Sequence, residues 1–275
     1  MPWLFLLATL IPLPQPDANE ARILLLRADL FNLEGPGLTR FDQAAIVLAH
    51  TGKESPSFQA PQLGACSAGD APADEVEGYL AGAAPLLAKQ IPGKGIRLSE
   101  IPKIASAELV RSVLPVSGSA GLYASTIGGR RQGVAADLPL FFTRSPVALR
   151  INGAESRLDP PREFRWPQRD EAGRHSIRLP LQLVWEAAPD GEMLMILATA
   201  RRDRSTKWIV CRGLAARGRF SISPSLLRNW PAGEEATLLL VWAPRNHWQR
   251  IPVPGMDHAW AAAAHIQGKL LTLLR

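Results

Sequence analysis

The sequence predicts an all-β protein of two sandwich-like domains, and three observations lead there. Hydrophobic residues make up 47% of the chain and charged residues 20%, so each half can bury a core. The 24 prolines and 22 glycines are spread along its 275 residues, which cuts the chain into short segments joined by turns rather than long helices. The apolar runs are correspondingly short, with turn residues between them at strand-like intervals.

In chain order, residues 1–21 read as an export signal. The apolar run from Trp3 to Ile11 is followed by a Pro/Gln/Asp stretch at Leu13–Asp17. The run is too short to span a bilayer but suits a signal-peptide core. No Lys or Arg precedes it and the cleavage region is a weak small-x-small match; the competing reading is a buried first strand. Arg22–Phe31 predicts a strand, Asn32–Gly37 a turn, and Ala44–Ala49 a second apolar run. The Pro/Ala/Gly-rich stretch Ser55–Asp74, with Cys66 inside it, predicts a loop. Further short strands are expected at Leu86–Ala88, Gly95–Leu98, Gly121–Ile127 and Leu138–Phe142, and a short helix at Ser106–Leu114. Val147–Ile151 followed by Asn152-Gly153 predicts a strand entering a tight hairpin turn.

Asp159-Pro160-Pro161 marks a domain boundary, because two prolines continue neither a helix nor an inner strand. This divides the chain into residues 22–160 and 161–275. The first part holds 14 basic and 13 acidic side chains and the second 17 and 10, so the +6 net charge belongs to the second. Strands are expected there at Ser176–Leu179, Leu181–Trp185, Glu192–Ala198, Lys207–Arg212, Gly218–Ile222 and Ala236–Trp242. Ser223 caps a helical turn with Pro224 at its first position. Propensity makes Ala259–His265 helical, while Lys269–Leu273 has the pattern of a closing strand.

Taken together, Phe164-Arg165-Trp166, the strand Leu181–Trp185, Ile209-Val210-Cys211, Gly218–Pro224 with Leu226 and Trp230-Pro231, and Gly255-Met256-Asp257 resemble the shared C-terminal half of a group of uncharacterised secreted proteins of soil bacteria. In the first half, Phe58–Cys66, Gly121–Tyr123 and Leu140–Phe142 fall where that group has similar residues. Ser223 before Pro224 and the run Arg201–Arg204 depart from its pattern. The resemblance implies export and an immunoglobulin-like sandwich in residues 161–275. It carries no catalytic residue across, since no activity is attached to the group.

The residues point to no reaction. Ser117–Gly121 lacks the glycine placement of a nucleophile elbow. Gly93-Lys94-Gly95 lacks the spacing of a phosphate loop. His50, His175, His247, His258 and His265 are scattered without a metal-ligand spacing, and His258 and His265 share a face only if the intervening alanines are helical. Cys66 and Cys211 match no zinc pattern; they are either one disulfide or two separately buried thiols. No catalytic residue, metal or cofactor is therefore expected, and the chain reads as a non-enzyme more readily than as an enzyme.

Two features are candidates for binding. Seven of the eight tryptophans lie at or after Trp166. Trp185 and Trp242 end apolar strands and belong to a core, whereas Trp230, Trp248 and Trp260 sit in loop-like contexts open to a sugar ring. Arg201, Arg202 and Arg204 form a basic tip between strands, suited to an anionic polymer. The expected function is a secreted, periplasmic or cell-surface binding or interaction protein. The expected partner is an anionic polysaccharide or another surface protein, with nucleic acid the least favoured and no transmembrane segment in the mature chain. The alternatives are a carbohydrate-binding or carbohydrate-active protein and a structural subunit joined by strand exchange.

Overall fold

A computed structural model describes residues 18–33, 37–51, 61–72, 107–109, 112–113, 122–129, 140–143, 145–170, 173–186, 188, 190–199, 205–231, 233–243 and 249–275. The run 3–11, residues 86–88 and 95–98, Arg201, Arg202, Arg204, His247 and Trp248 lie outside them. The protein is all-β and sandwich-like.

One ten-stranded sheet dominates. Along it lie, in order, β3 (Cys66–Pro72), β12 (Ser205–Leu214), β11 (Glu192–Thr199), β14 (Glu235–Ala243), β16 (His258–Leu274), β1 (Ala18–Phe31), β2 (Leu38–Thr51) and β6 (Leu122–Gly129). The short strands β9 (Gly173–Ser176) and β15 (Gln249–Arg250) also pair with β16. Two smaller sheets cover one face of it. One contains β5 (Ser112–Val113), β4 (Ala107–Leu109), β7 (Val147–Ile151) and β8 (Ala154–Leu158); the other pairs β10 (Leu181–Val184) with β13 (Arg219–Ile222). The one described α-helical turn, α1 (Pro224–Leu227), follows β13, with the Ser223 hydroxyl accepting the Ser225 N–H as an N-cap.

Strand parity explains the cores. Even-numbered residues of β1 and β16 (Leu24, Leu26, Leu30; Ala264, Ile266) join Leu194, Ile196, Val210, Leu239 and Val241 on one face of the large sheet. The odd-numbered ones serve the other face, where side chains alternate by the two-residue period of a strand. There Ala21, Ile23, Leu25, Ala259, Ala261 and Ala263 meet Val147, Leu149, Ile151 and Leu158 of the four-stranded sheet. Further along, Leu271 and Leu273 meet Leu181, Leu183, Trp185, Ile222 and Leu227 beneath the two-stranded sheet. β11, between β12 and β14, is buried along its whole length, as a strand covered on both faces must be.

Several expectations change. The boundary at residue 160 does not separate the strands of the large sheet: β1, β2, β3 and β6 precede it and β9, β11, β12 and β14–β16 follow it. Ala259–His265 is strand, not helix. Its register runs parallel to β1 from Glu20↔His258 to Phe31↔Lys269, and this pairing outweighs alanine's helix propensity. The Ser106–Leu114 helix is replaced by β4 and β5. Cys66–Pro72, expected as loop, is a strand on β12 and, among the described residues, the edge of the sheet. Residues 140–142 are irregular, not a strand. At the β7–β8 turn, Asn152 and Gly153 have φ of 47° and 81°, the positive pair that a tight hairpin turn demands.

Candidate functional site

Of the tryptophans expected to take a sugar ring, Trp230 and Trp260 lie in different parts of the structure, and Trp248 is outside the described residues. Trp230 is buried against the second of the two cap cores, at 5% exposure, and its indole N–H has no partner. Trp260 is half-buried on β16, and its strand neighbours in register are Arg250 on β15 and Arg22 on β1. Trp185 is buried with its indole N–H donating to the Ala215 carbonyl at 2.7 Å, and Trp242 is buried in the same core. His258 and His265, seven apart in a strand, lie on opposite faces of the sheet. Among the described residues no group of His, Cys, Asp and Glu is placed to hold a metal, and no helix is long and apolar enough to cross a membrane.

The structure does gather a group the sequence reading passed over. β1 carries Arg27-Ala28-Asp29 and β2 carries Arg40-Phe41-Asp42. Antiparallel register sets Arg27 opposite Asp42 and Asp29 opposite Arg40, so the repeated Arg-x-Asp pattern becomes two cross-strand ion pairs. Parallel register on the other side sets His265 beside Arg27 and Gln267 beside Asp29. All of these are on the odd face of β1 and β16, between the two cap cores. The result is a polar seam across an otherwise apolar surface.

Its bonds are numerous. Asp42 accepts from Arg27 Nε at 2.7 Å, from Arg27 Nη2 at 2.8 Å and from the Phe142 N–H at 2.8 Å. Arg27 also donates to the Phe142 carbonyl at 2.7 Å and pairs with Glu163. Glu163 takes a second arginine, Arg40, at 2.7 Å. Arg40 Nε lies 2.9 Å from Asp29 Oδ1 as an ion pair without hydrogen-bond alignment. Asp29 Oδ2 meets His265 Nε2 at 3.0 Å and Arg169 at 3.3 Å.

Across this seam runs the segment 159–170, the stretch that contains the double proline. Its backbone is held by side chains of β16. His265 Nδ1 accepts the Phe164 N–H at 3.2 Å. Gln267 donates to the Phe164 carbonyl at 2.6 Å and accepts the Trp166 N–H at 3.0 Å. Lys269 donates to the Gln168 carbonyl and lies 5.1 Å over the Trp166 ring. Phe164 and Trp166 both drop their rings into the core beneath the two-stranded sheet.

Electrostatics favours the ionised carboxylates. Burial alone would raise Asp29, but the hydrogen bond from His265 and the charges of Arg40 and Arg169 hold it below the usual carboxylate range. Glu163 is likewise lowered, burial being outweighed by Arg40 and Arg27. Burial opposes the charge on Arg27, yet Asp42 and Glu163 raise its pKa further above the ordinary arginine value. Both ring nitrogens of His265, both oxygens of Asp42 and both polar atoms of Gln267 are spent on internal partners. The arrangement fastens one piece of chain onto another.

A second construction lies at the edge of the sheet. Cys66 and Cys211 face each other directly across β3 and β12 and are joined by a disulfide, with Cα atoms 4.0 Å apart. The bridge links neighbouring strands of one sheet, unlike the bridge between sheets in antibody domains. Trp208 lies over Gly69, where a Cβ would sit 2.8 Å from the indole, and Lys207 pairs with Asp70 at 2.9 Å. Ala65 and Arg212 are hydrogen-bonded through their backbones, so Ser67, Gly69 and Ala71 turn their amides to β12 while Cys66, Ala68, Asp70 and Pro72 turn outward. A charged residue and a proline at outward positions guard a sheet edge against further strands.

No family model matches the chain, and no curated protein or solved structure matches it either.

Proposed function

We propose that the chain works outside the cytoplasm, in the periplasm or at the cell surface, as a non-enzymatic binding or interaction protein. The observation that carries this reading is the Cys66–Cys211 disulfide, which suits an oxidising compartment. Its second support is the seam, whose polar groups are committed to one another. The guarded edge at β3 argues against strand exchange there as the mode of assembly. The packing of β10–β13 over β11, β12 and β14 supports an immunoglobulin-like reading of the second half, while the placement of the disulfide departs from that pattern.

Fractionation of expressing cells with intact mass and thiol alkylation tests the reading. Because β1 begins at Ala18 and Ala21 is buried in the core, a signal reaching residue 21 would cut into the strand; an exported chain cleaved ahead of β1 and alkylated only after reduction is the expected result. A full-length cytoplasmic chain with two free thiols overturns it.

A carbohydrate ligand is the second reading, favoured by Trp260 standing in register between Arg22 and Arg250. Retardation in gels containing an anionic polysaccharide, abolished by Trp260→Ala and not by Arg165→Ala, would support it. Equal mobility of all three proteins would leave the ligand to be sought among proteins.

A further inference from the structure

The seam contains one group whose protonation state is dictated by its partners. A backbone N–H can only donate, so the Phe164 amide at 3.2 Å requires an unprotonated Nδ1 on His265. The carboxylate of Asp29 accepts, so Nε2, at 3.0 Å, carries the ring proton. The bonded ring is therefore the neutral Nε2–H tautomer. It is wholly buried, and the Phe164 ring packs edge-on against it with centroids 5.0 Å apart.

Every element around the ring bears on a second proton. β1 contributes Arg27 and Asp29, β2 contributes Arg40 and Asp42, and the crossing segment contributes Glu163 and Arg169. β16 itself adds Lys269 at the far end of the seam, and β14 places uncharged Trp242 beside His265. Three arginines and a lysine already outnumber three carboxylates by one. An imidazolium would add a second surplus charge, and its new Nδ1–H would point at the Phe164 N–H, donor against donor, in a space closed to water.

We propose that His265 is an acid-sensitive latch: neutral, it pins the crossing segment at Phe164, and on protonation it lets go of that backbone. The opening is local. Gln267, which does not titrate, keeps the Phe164 carbonyl and the Trp166 N–H. Released at Phe164, the chain can turn Glu163 toward the imidazolium, exchanging its arginine partners for the new cation. A half-exposed carboxylate and the segment behind it thus change place at the surface when the surroundings turn acid.

The test follows the His265 ring nitrogens by NMR in the intact chain from about pH 8 to about pH 4, the span in which imidazoles and then carboxylates ordinarily titrate. Backbone amide exchange is measured over the same span and corrected for its intrinsic pH dependence. The expected result is an Nε2–H ring at the alkaline end. As the ring protonates, Phe164 should lose roughly tenfold in protection, the order of one hydrogen bond, while Trp166 keeps its own. His265→Gln, able to donate and accept but not to titrate, should abolish the step. An Nδ1–H ring, a ring neutral until global unfolding, or unchanged Phe164 protection as it protonates would each overturn the latch. So would the same step surviving in His265→Gln, which would place it on Asp29 or Glu163. If that variant does not fold, the coincidence of ring titration with Phe164 deprotection in the unaltered chain decides alone.

Discussion

β16 offers one face to two kinds of surroundings. At its ends, Ala259, Ala261 and Ala263 and then Leu271 and Leu273 pack under the two cap sheets. In the middle, His265, Gln267 and Lys269 meet ions and backbone amides instead. The apolar ends accept any neighbour of suitable shape and volume. The polar middle accepts only one register, since a slip of a single residue would turn every one of its groups to the opposite face. The comparison teaches a division of labour in which the cap cores supply most of the favourable burial. The seam specifies where the crossing segment lies, at a desolvation cost that makes its net contribution small while it is intact.

That division can be broken from either side. Asp42→Ala should have the largest effect, about 4 kcal/mol in urea unfolding, because it leaves Arg27 buried without its bidentate partner and the Phe142 amide unbonded. The double change Arg27→Met with Asp42→Leu should cost less than Asp42→Ala alone, since it removes the buried charge with its partner; an additive or larger loss would show that the pair itself stabilises the fold. Leu25→Ala, in the fully buried apolar stretch of β1, should cost about 3 kcal/mol by loss of transfer energy and the cavity left behind.

The acid limb sharpens the contrast further. Asp29 and Glu163 have folded-state pKa values below their unfolded ones. The unfolded chain therefore binds more protons between the two values, and their contribution is complete above the ordinary carboxylate range and lost as pH falls through and below about 4. Asp29→Asn should flatten the pH dependence of the unfolding midpoint in that window, whereas Leu25→Ala should shift the whole curve without changing its slope. The smallest effect belongs to the exposed pair Arg165–Glu186, 3.1 Å apart at the surface. Arg165→Ala should move stability by less than about 0.5 kcal/mol, because water and salt screen the pair.

Much of the fold was legible and the seam was not, for separable reasons. Leu181–Trp185 and Gly218–Ile222 showed their strands through two-residue alternation, and Asn152-Gly153 and Ser223-Pro224 announced a turn and a cap through local backbone chemistry. Ala259–Ala264 misled because alanine signals helix locally, and only the distant partner β1 makes it strand. The Cys66 segment misled because its small residues, Gly69 and Pro72 are what an edge strand under an indole and beside solvent can use. The seam depends on residues as far apart as Asp29 and His265, 236 positions from each other, and no local pattern reports such a meeting. One signal was present: Arg-x-Asp on both arms around the Asn32–Gly37 turn, in strands otherwise apolar, which antiparallel pairing converts into complementary charges.

The parallel pairing of β1 with β16 fixes an order of events in time. β1 leaves the ribosome among the earliest described strands and can hairpin with β2 at once, but its other neighbour is the latest of them to emerge. During synthesis the sheet has a missing slat at its centre, with the backbone amides along one side of β1 waiting for acceptors. The β1–β16 pairing joins residues from both sides of the double proline, and a pairing so remote in sequence is slow to form. The growing polypeptide therefore leaves this pairing unmade until β16 has been synthesised, and in that interval the open side of β1 is a template for wrong partners.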